Sequence, residues 1–470
     1  MSIIKPCDIR GRYPDELDDA TARALGRAIG ARIADEQIVV GGDLRVHTPA
    51  LKSQLIEGLL ESGVHVVDIG TVPTPAFYFA RHEMQIHNGI MVTASHNPAV
   101  YNGFKITLGE RPIEEQQLQD IARDMGAGVF HPRPRGGLIQ DFILEKYRDR
   151  LLSAFGKELP EIARLFPSVN AQDETQKAAV VIDCGNGCNA LLAADVFRAA
   201  GFEVHELFCE PDGSFPNREP NPAVPSNLKQ LQKTVPAVGA LLGIAFDGDG
   251  DRVAFVGPNG DYIEIDRSIA IFSRYFALRQ TGARIVYDIK CSSVVPEQIT
   301  SFGGVPVMER SGHTYMRATV LREGAAFGGE LSGHCFFGTF GWDDSLFAGL
   351  IFATIIERTQ GQILQEIPRY ETTPDLRIPY SHDDKHELLD TLALYHTQKG
   401  SFTISRLDGV RGDSEVGWAL ARVSVTEPLF TFRFEGKTSV DLERVIRSFL
   451  SPVPKLLELV STYRTSGRPC

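Results

Sequence analysis

Apolar positions over the first 150 residues alternate between helical and strand-like periods. Thr48-Pro49 reads as an N-cap followed by Pro at the first helical position. Leu51, Leu55, Ile56, Leu59 and Leu60 then share one helical face, and Gly63 closes the helix. Strands are predicted near Val64–Asp68 and at Ile90–Thr93, which makes an α/β unit. A second unit starts near Lys177 with a strand over Ala178–Asp183, and a third runs from about Asp261 to about residue 370. From about residue 373 the pattern changes to a helix near 384–397, strands with Gly turns, and a terminal helix. A chain of 470 residues is too long for one core, and this pattern divides it into 1–152, 153–260, 261–372 and 373–470.

Two apolar runs break into polar loops where ligands would sit, because open α/β sheets bind ligands beyond the carboxyl ends of their strands. Ile90-Met91-Val92 stops at Thr93-Ala94-Ser95-His96-Asn97-Pro98, and Pro98 holds Asn97 out of the helical region. Alone, this is equally a surface turn whose Ser, His and Asn bond locally. Ser95 and His96 are not expected to pair, since neighbouring side chains on extended backbone point apart. Ile244-Ala245-Phe246 opens into Asp247-Gly248-Asp249-Gly250-Asp251-Arg252. Alternate carboxylates with Gly between them can curl around one hard cation. An EF-hand is excluded, because Arg252 and Pro258 stand where that loop needs Gly and Glu. A plain acidic turn remains the alternative to a divalent-metal loop.

A rival signal is Gly185-Asn186-Gly187-Cys188-Asn189-Ala190, which fits a dinucleotide fingerprint with Glu206 at the ribose spacing. Downstream, however, Pro211-Asp212-Gly213-Ser214-Phe215-Pro216 and Pro220-Asn221-Pro222 form a turn-rich linker and not further βαβ units. The glycine turn is therefore assigned to tight strand–helix packing.

Composition narrows the class further. Apolar content of 43% and charged content of 23% are those of a soluble globular protein. No apolar run is long enough to span a bilayer, and no secretory signal pattern is present. A net charge of -12 argues against nucleic-acid and membrane partners but leaves room for an anionic substrate beside local arginines. The 7 Cys are scattered and odd in number, which favours reduced thiols and a cytoplasmic location. Cys184 and Cys188 match neither a zinc nor a redox spacing.

With both loops in hand, nearly the whole chain resembles the α-D-phosphohexomutases, most closely the phosphomannomutase/phosphoglucomutase group. The resemblance implies an α/β fold of four domains around a central cleft: three similar α/β domains and a C-terminal α+β domain. Ser95 would carry a phosphoryl group, and Asp247, Asp249 and Asp251 would hold Mg²⁺ together with a phosphoserine oxygen. Cys7-Asp8-Ile9-Arg10-Gly11 matches the family's D-I-R-G, with Cys7 where many relatives have Tyr. Tyr101-Asn102-Gly103-Phe104-Lys105 matches N-G-F-K, which places Lys105 near the reacting hydroxyl. Lys290-Cys291-Ser292, Ser311-Gly312-His313 and Gly329-Glu330-Leu331-Ser332-Gly333-His334 resemble further family elements. Of these, Glu330 and Ser332 would recognise neighbouring sugar hydroxyls, and Lys290, His313 and Arg252 would line the substrate site. Arg422, Ser424, Thr426 and Arg433 resemble the loop that grips the non-reacting phosphate, although Val425 replaces its usual Asn.

The implied reaction interconverts hexose 6-phosphate and hexose 1-phosphate through a hexose 1,6-bisphosphate, with glucose 1,6-bisphosphate as activator. Lys105, His334 and Arg10 are the proton handlers or orienters, and a mobile C-terminal domain would clamp the substrate. A phosphoglucosamine mutase is the nearest alternative, but it usually carries S-A-S-H-N-P, and Gln where Leu331 stands. A non-catalytic phosphosugar-binding relative is the other, with Cys7 and Val425 as its support. Mannose against glucose, and the oligomeric state, are not legible.

Overall fold

The computed structural model describes residues 3–5, 7–33, 36–110, 112–128, 133–169, 177–423 and 428–465. The predicted apolar face forms the helix Thr48–Glu61, and all five of its named residues are buried. His47 holds the N-cap position in place of Thr48, and no side chain caps the helix. The Thr48 hydroxyl donates instead to the Asp43 carboxylate at 2.6 Å, a stronger acceptor than water at a helix end.

Four sheets follow one another along the chain. The first has the order Ile9–Arg12, Tyr101–Thr107, Asn88–Val92, Gln37–Gly42, His65–Thr71, Leu138–Gln140. The second runs Tyr262–Ile263, Val253–Val256, Leu242–Phe246, Ala179–Asp183, Glu203–Leu207, and the third Val305–Glu309, Arg284–Asp288, Phe327–Gly329, Cys335–Phe337, Trp342–Asp343. One feature recurs in all three. Asn88–Val92, Leu242–Phe246 and Phe327–Gly329 each pair parallel on one side and antiparallel on the other. The loop leaving each of these strands is thus the connection of an antiparallel hairpin at the point where parallel pairing ends. Those loops are the serine loop, the aspartate loop and the Glu330–His334 loop. Topology alone brings them into corresponding places.

The fourth sheet is antiparallel throughout, with Leu429–Gly436 and Gly417–Val423 at its centre and the helices Lys385–Lys399, Ser439–Leu450 and Pro454–Thr465 packed with it. It docks on the third sheet through named contacts. Trp418 and Leu420 pack on Ile289, the Arg411 guanidinium donates to the Ile289 and Cys291 carbonyls, and the Ser293 N–H donates to Glu435 at 2.9 Å.

One continuous apolar cluster joins the first three sheets, from Val39 through Phe246 to Ile367. The helix Leu144–Leu165 crosses between units and packs on Ile265–Arg279 and Ser345–Thr359. Asp344 caps the last of these by accepting from the Phe347 N–H at 3.0 Å, and it also accepts from the Tyr147 hydroxyl at 2.8 Å. Burial pushes the Asp344 carboxyl up to about 7 from its ordinary 3.8. Between those values the folded protein keeps a proton that the unfolded chain has released. Stability therefore falls as pH rises through that window and levels off above it. Asp344→Asn keeps the cap without the charge, its oxygen accepting from the Phe347 N–H and its amide donating to the Tyr147 hydroxyl oxygen. Thermal melts at about pH 5 and about pH 8 are expected to show a flatter slope for this variant, and at the higher pH a stability at least equal to the wild type.

Candidate active site

The serine loop is bent by its own nucleophile candidate. Ser95 has φ +51, and the Asn97 N–H closes a turn on the Ala94 carbonyl at 3.0 Å. A non-glycine residue there carries strain of about 1 kcal/mol or more, tolerated only where the surroundings overdetermine it. The same bend corrects one expectation: with Ser95 out of the extended region, its Oγ lies 3.3 Å from His96 Nδ1. Burial, reinforced by Arg252 and Arg10, drives the His96 imidazole well below its ordinary value, so it stands as a neutral neighbour.

Arg45 holds the bend. Its fully buried guanidinium donates to the carbonyls of Ser95 (2.8 Å), Asn97 (2.6 Å), Pro98 (2.7 Å) and Tyr101 (2.9 Å), and to Asp43 (3.1 Å). The Phe215 ring covers it with a centroid distance of 5.1 Å, which gives the turn-rich run after Glu210 a role in the site.

Ser95 Oγ donates to Asp247 Oδ2 at 2.9 Å, across 152 residues of chain. Asp247, Asp249 and Asp251 are all fully buried, and one oxygen of each lies within 4.8 Å of the others. Glycine lets the loops approach: a Cβ on Gly248 would lie 2.7 Å from the Ser95 carbonyl, and one on Gly187 would lie 2.8 Å from the Asp247 carbonyl. The Gly185–Gly187 turn therefore serves loop-to-loop contact, not strand–helix packing. Glu206 pairs with Arg198, so the predicted ribose carboxylate faces an arginine of its own unit.

The carboxylates show an unmet demand for a cation. Burial, with Asp249 and Asp251 alongside, pushes the Asp247 carboxyl well above the usual range. Burial acts the same way on Asp249, but the Lys105 ammonium at 2.7 Å overrides it and holds that carboxyl low. Lys105 also pairs with Asp251, and Thr74 donates to Asp249 at 2.7 Å. Asp249 Oδ1 and Asp251 Oδ1 remain buried without a hydrogen-bond partner. Two orphaned carboxylate oxygens within a cluster of three buried aspartates fit a hard divalent ion.

Around this cluster the structure gathers most of the predicted residues. Cys7, Arg10, Tyr78, Lys105, Arg252, His313 and His334 line one pocket. Arg10 bonds Asn97 at 2.6 Å and pairs with Asp8 at 2.7 Å. Arg252 Nε donates to His334 Nε2 at 2.9 Å. Tyr78 stacks on His313 with centroids 6.0 Å apart, so the pocket that Cys7 lines has an aromatic wall. Glu330 Oε2 and Ser332 Oγ are buried without hydrogen-bond partners.

The predicted phosphate cations are arranged differently. Lys290 pairs with Asp375 at 3.1 Å, Arg433 with Asp266 at 3.2 Å and Asp375 at 3.8 Å, and Arg422 with Asp408 at 2.8 Å. Lys290 and Arg433 thus meet on one carboxylate, whereas Arg422 stands with a partner of its own. Ser424, Val425 and Thr426 lie outside the described residues. Thr74, Arg45, Tyr78 and Asp343 were not singled out in the sequence. No helix among the described residues is long and apolar enough to cross a membrane.

Fold and site together define a class: the multidomain α/β mutases, in which a serine faces a cluster of metal-binding carboxylates. Three consecutive segments match the description "Phosphoglucomutase/phosphomannomutase, alpha/beta/alpha domain" I, II and III, over residues 2–130, 159–260 and 264–372. The chain is 37% identical over 457 residues to a phosphomannomutase/phosphoglucomutase of Pseudomonas aeruginosa, covering 94% of each. It is 33% identical over 456 residues to a phosphoglucomutase of Neisseria gonorrhoeae, covering 95% of each. A crystal structure of a phosphoglucomutase/phosphomannomutase family protein from Burkholderia thailandensis superposes with a TM-score of 0.86 at 33% identity, covering 97% of this chain and 98% of that one. The chain belongs to the phosphoglucomutase/phosphomannomutase family of α-D-phosphohexomutases.

Proposed function

We propose that this protein interconverts the 6-phosphate and 1-phosphate of mannose, glucose or both, with Ser95 as the phosphoryl carrier. The contact of Ser95 Oγ with Asp247 inside a buried carboxylate cluster carries the reading. In the first half-reaction the phosphoserine O–P bond breaks and a new P–O bond forms to the free sugar hydroxyl. The resulting bisphosphate turns over in the cleft, and its other phosphate returns to Ser95. Asp247, Asp249 and Asp251 would hold Mg²⁺, which when bound offsets charge on the transferring group.

Among the three proton-handling candidates the roles separate by chemistry. Lys105 is pinned by two carboxylates that hold its ammonium well above its ordinary value against the effect of burial. It acts as a charge and a positioner, and Arg10, always cationic, does the same. His334 Nε2 accepts from Arg252, so it is the unprotonated nitrogen of that ring, and it would take the hydroxyl proton once Arg252 releases it to bind substrate. Glu330 and Ser332 would read neighbouring hydroxyls, and Lys290, His313, Arg422, Ser424, Thr426 and Arg433 would complete the substrate contacts. The substrate phosphate must then compete with Asp375 and Asp408 for its cations.

The test is mutase turnover with Mg²⁺ and a trace of glucose 1,6-bisphosphate on mannose, glucose and glucosamine 1-phosphates, with and without a chelator. Turnover of mannose or glucose phosphate that the chelator removes is expected. Failure on all three substrates, or preference for glucosamine phosphate, overturns the reading.

A further inference from the structure

We propose that Asp343 is a positioning residue: it fixes the tautomers of His313 and His334 and so decides which nitrogen of His334 is left bare to accept a hydrogen. The role in proton transfer rests on the phosphohexomutase reading, whereas the tautomer assignment stands on geometry alone.

Asp343 ends the short strand Trp342–Asp343, where it pairs with Phe336, and it is fully buried. Its Oδ1 lies 2.9 Å from His313 Nε2 and its Oδ2 lies 2.6 Å from His334 Nδ1. An ionised carboxylate only accepts, so both of those nitrogens carry hydrogen. On the far side of the same ring, Arg252 Nε donates to His334 Nε2 at 2.9 Å. A guanidinium only donates, so Nε2 is bare. Two neighbours of opposite character thus demand the same tautomer of His334.

The rings have little freedom to choose otherwise. They meet edge to face with centroids 5.0 Å apart, and Phe336 packs on both, at 5.3 and 5.9 Å. Asp251, His313, His334 and Asp343 lie close enough to hold a cation. The hydrogen bonds of Asp343 and Arg252 already occupy both nitrogens of His334, so the cluster is explained without one. Asp344, next in the chain, caps a helix, while the side-chain hydrogen bonds found for Asp343 go to the two imidazoles. A carboxylate can receive two N–H groups at once. An amide offers one acceptor and one donor, so Asp343→Asn must force one imidazole into the opposite tautomer.

The experiment is imidazole ¹⁵N spectroscopy at one fixed pH on histidine-labelled wild type, Asp343→Asn and Asp343→Glu, with a His334→Gln variant to assign the signals. Steady-state kinetics on the same proteins complete it. Wild type is expected to show His334 protonated on Nδ1 and bare on Nε2. The Asn variant is expected to show one of the two rings switched: if His334, kcat falls by about 100-fold or more with KM within about threefold, and if His313, placed among the substrate contacts, KM rises instead. Asp343→Glu, which keeps two accepting oxygens, is expected to retain both tautomers and more of kcat than the Asn variant. The proposal is overturned by a wild-type His334 protonated on Nε2, or by an Asn variant that keeps both tautomers and most of kcat. Should the Asn variant lose its fold by circular dichroism, the wild-type and Glu signals decide: retained tautomers support the assignment, and a switched ring in the Glu variant overturns it. A wild type with these tautomers but no hexose phosphate turnover would sink the functional reading and leave the assignment intact.

Discussion

Ser95→Ala is expected to lower mutase turnover by about three orders of magnitude or more while leaving the melting temperature close to wild type. The oxygen that meets Asp247 is the one removed. The fold loses only one hydroxyl, and its partner Asp247 keeps the backbone N–H groups of Asp251 and Arg252 at 3.0 and 3.1 Å. Ser95→Gly sharpens the test, because φ +51 costs glycine little. That variant should be equally inactive yet as stable as wild type, or more stable by up to about 1 kcal/mol. A coupled assay and scanning calorimetry read both quantities. Wild-type rates in the Ala variant would remove Ser95 from the mechanism. A Gly variant clearly less stable than the Ala variant would show that the backbone there stores no strain.

Arg45→Ala should be the most damaging substitution outside the reacting groups. It strips five hydrogen-bond acceptors of their donor and leaves Asp43 buried beside a void. Breaking a buried pair in this way costs about 3–5 kcal/mol, and a released serine loop should lose activity as well. Arg45→Lys can keep the ion pair with Asp43 but cannot fork to four carbonyls, so an intermediate loss is expected. Urea denaturation of the three proteins checks this. An Ala variant with the wild-type midpoint would mean that the loop holds its own shape.

The division into three α/β units and a different C-terminal unit could be read in the sequence because apolar periodicity reports burial directly. So could Ser95 and the three aspartates, because each sits where an apolar strand breaks into polar residues. Arg45 could not. It lies in a short polar stretch with no periodicity, and the carbonyls it holds are 50 to 56 residues away. Asp343 was hidden for a related reason: its meaning depends on two rings, 30 and 9 residues distant, arriving at its two oxygens. The contact between Ser95 and His96 was missed because positive φ in a serine leaves no mark in composition. The glycine turn at 185–187 was assigned the wrong neighbour, since a glycine announces close approach without naming what approaches. Lys290, Arg422 and Arg433 were recognisable as cations, but not the aspartates that now hold them.

The serine and the carboxylates it faces belong to different sheets, separated by 152 residues. During synthesis the first unit emerges well before Asp247 is made. At that stage Ser95 is an ordinary hydroxyl without the three carboxylates beside it. A product that stops before Asp247 therefore cannot form the contact between Ser95 and that carboxylate, however well its first sheet is formed. The pairing of serine with carboxylates is thus assembled only when the second unit docks on the first.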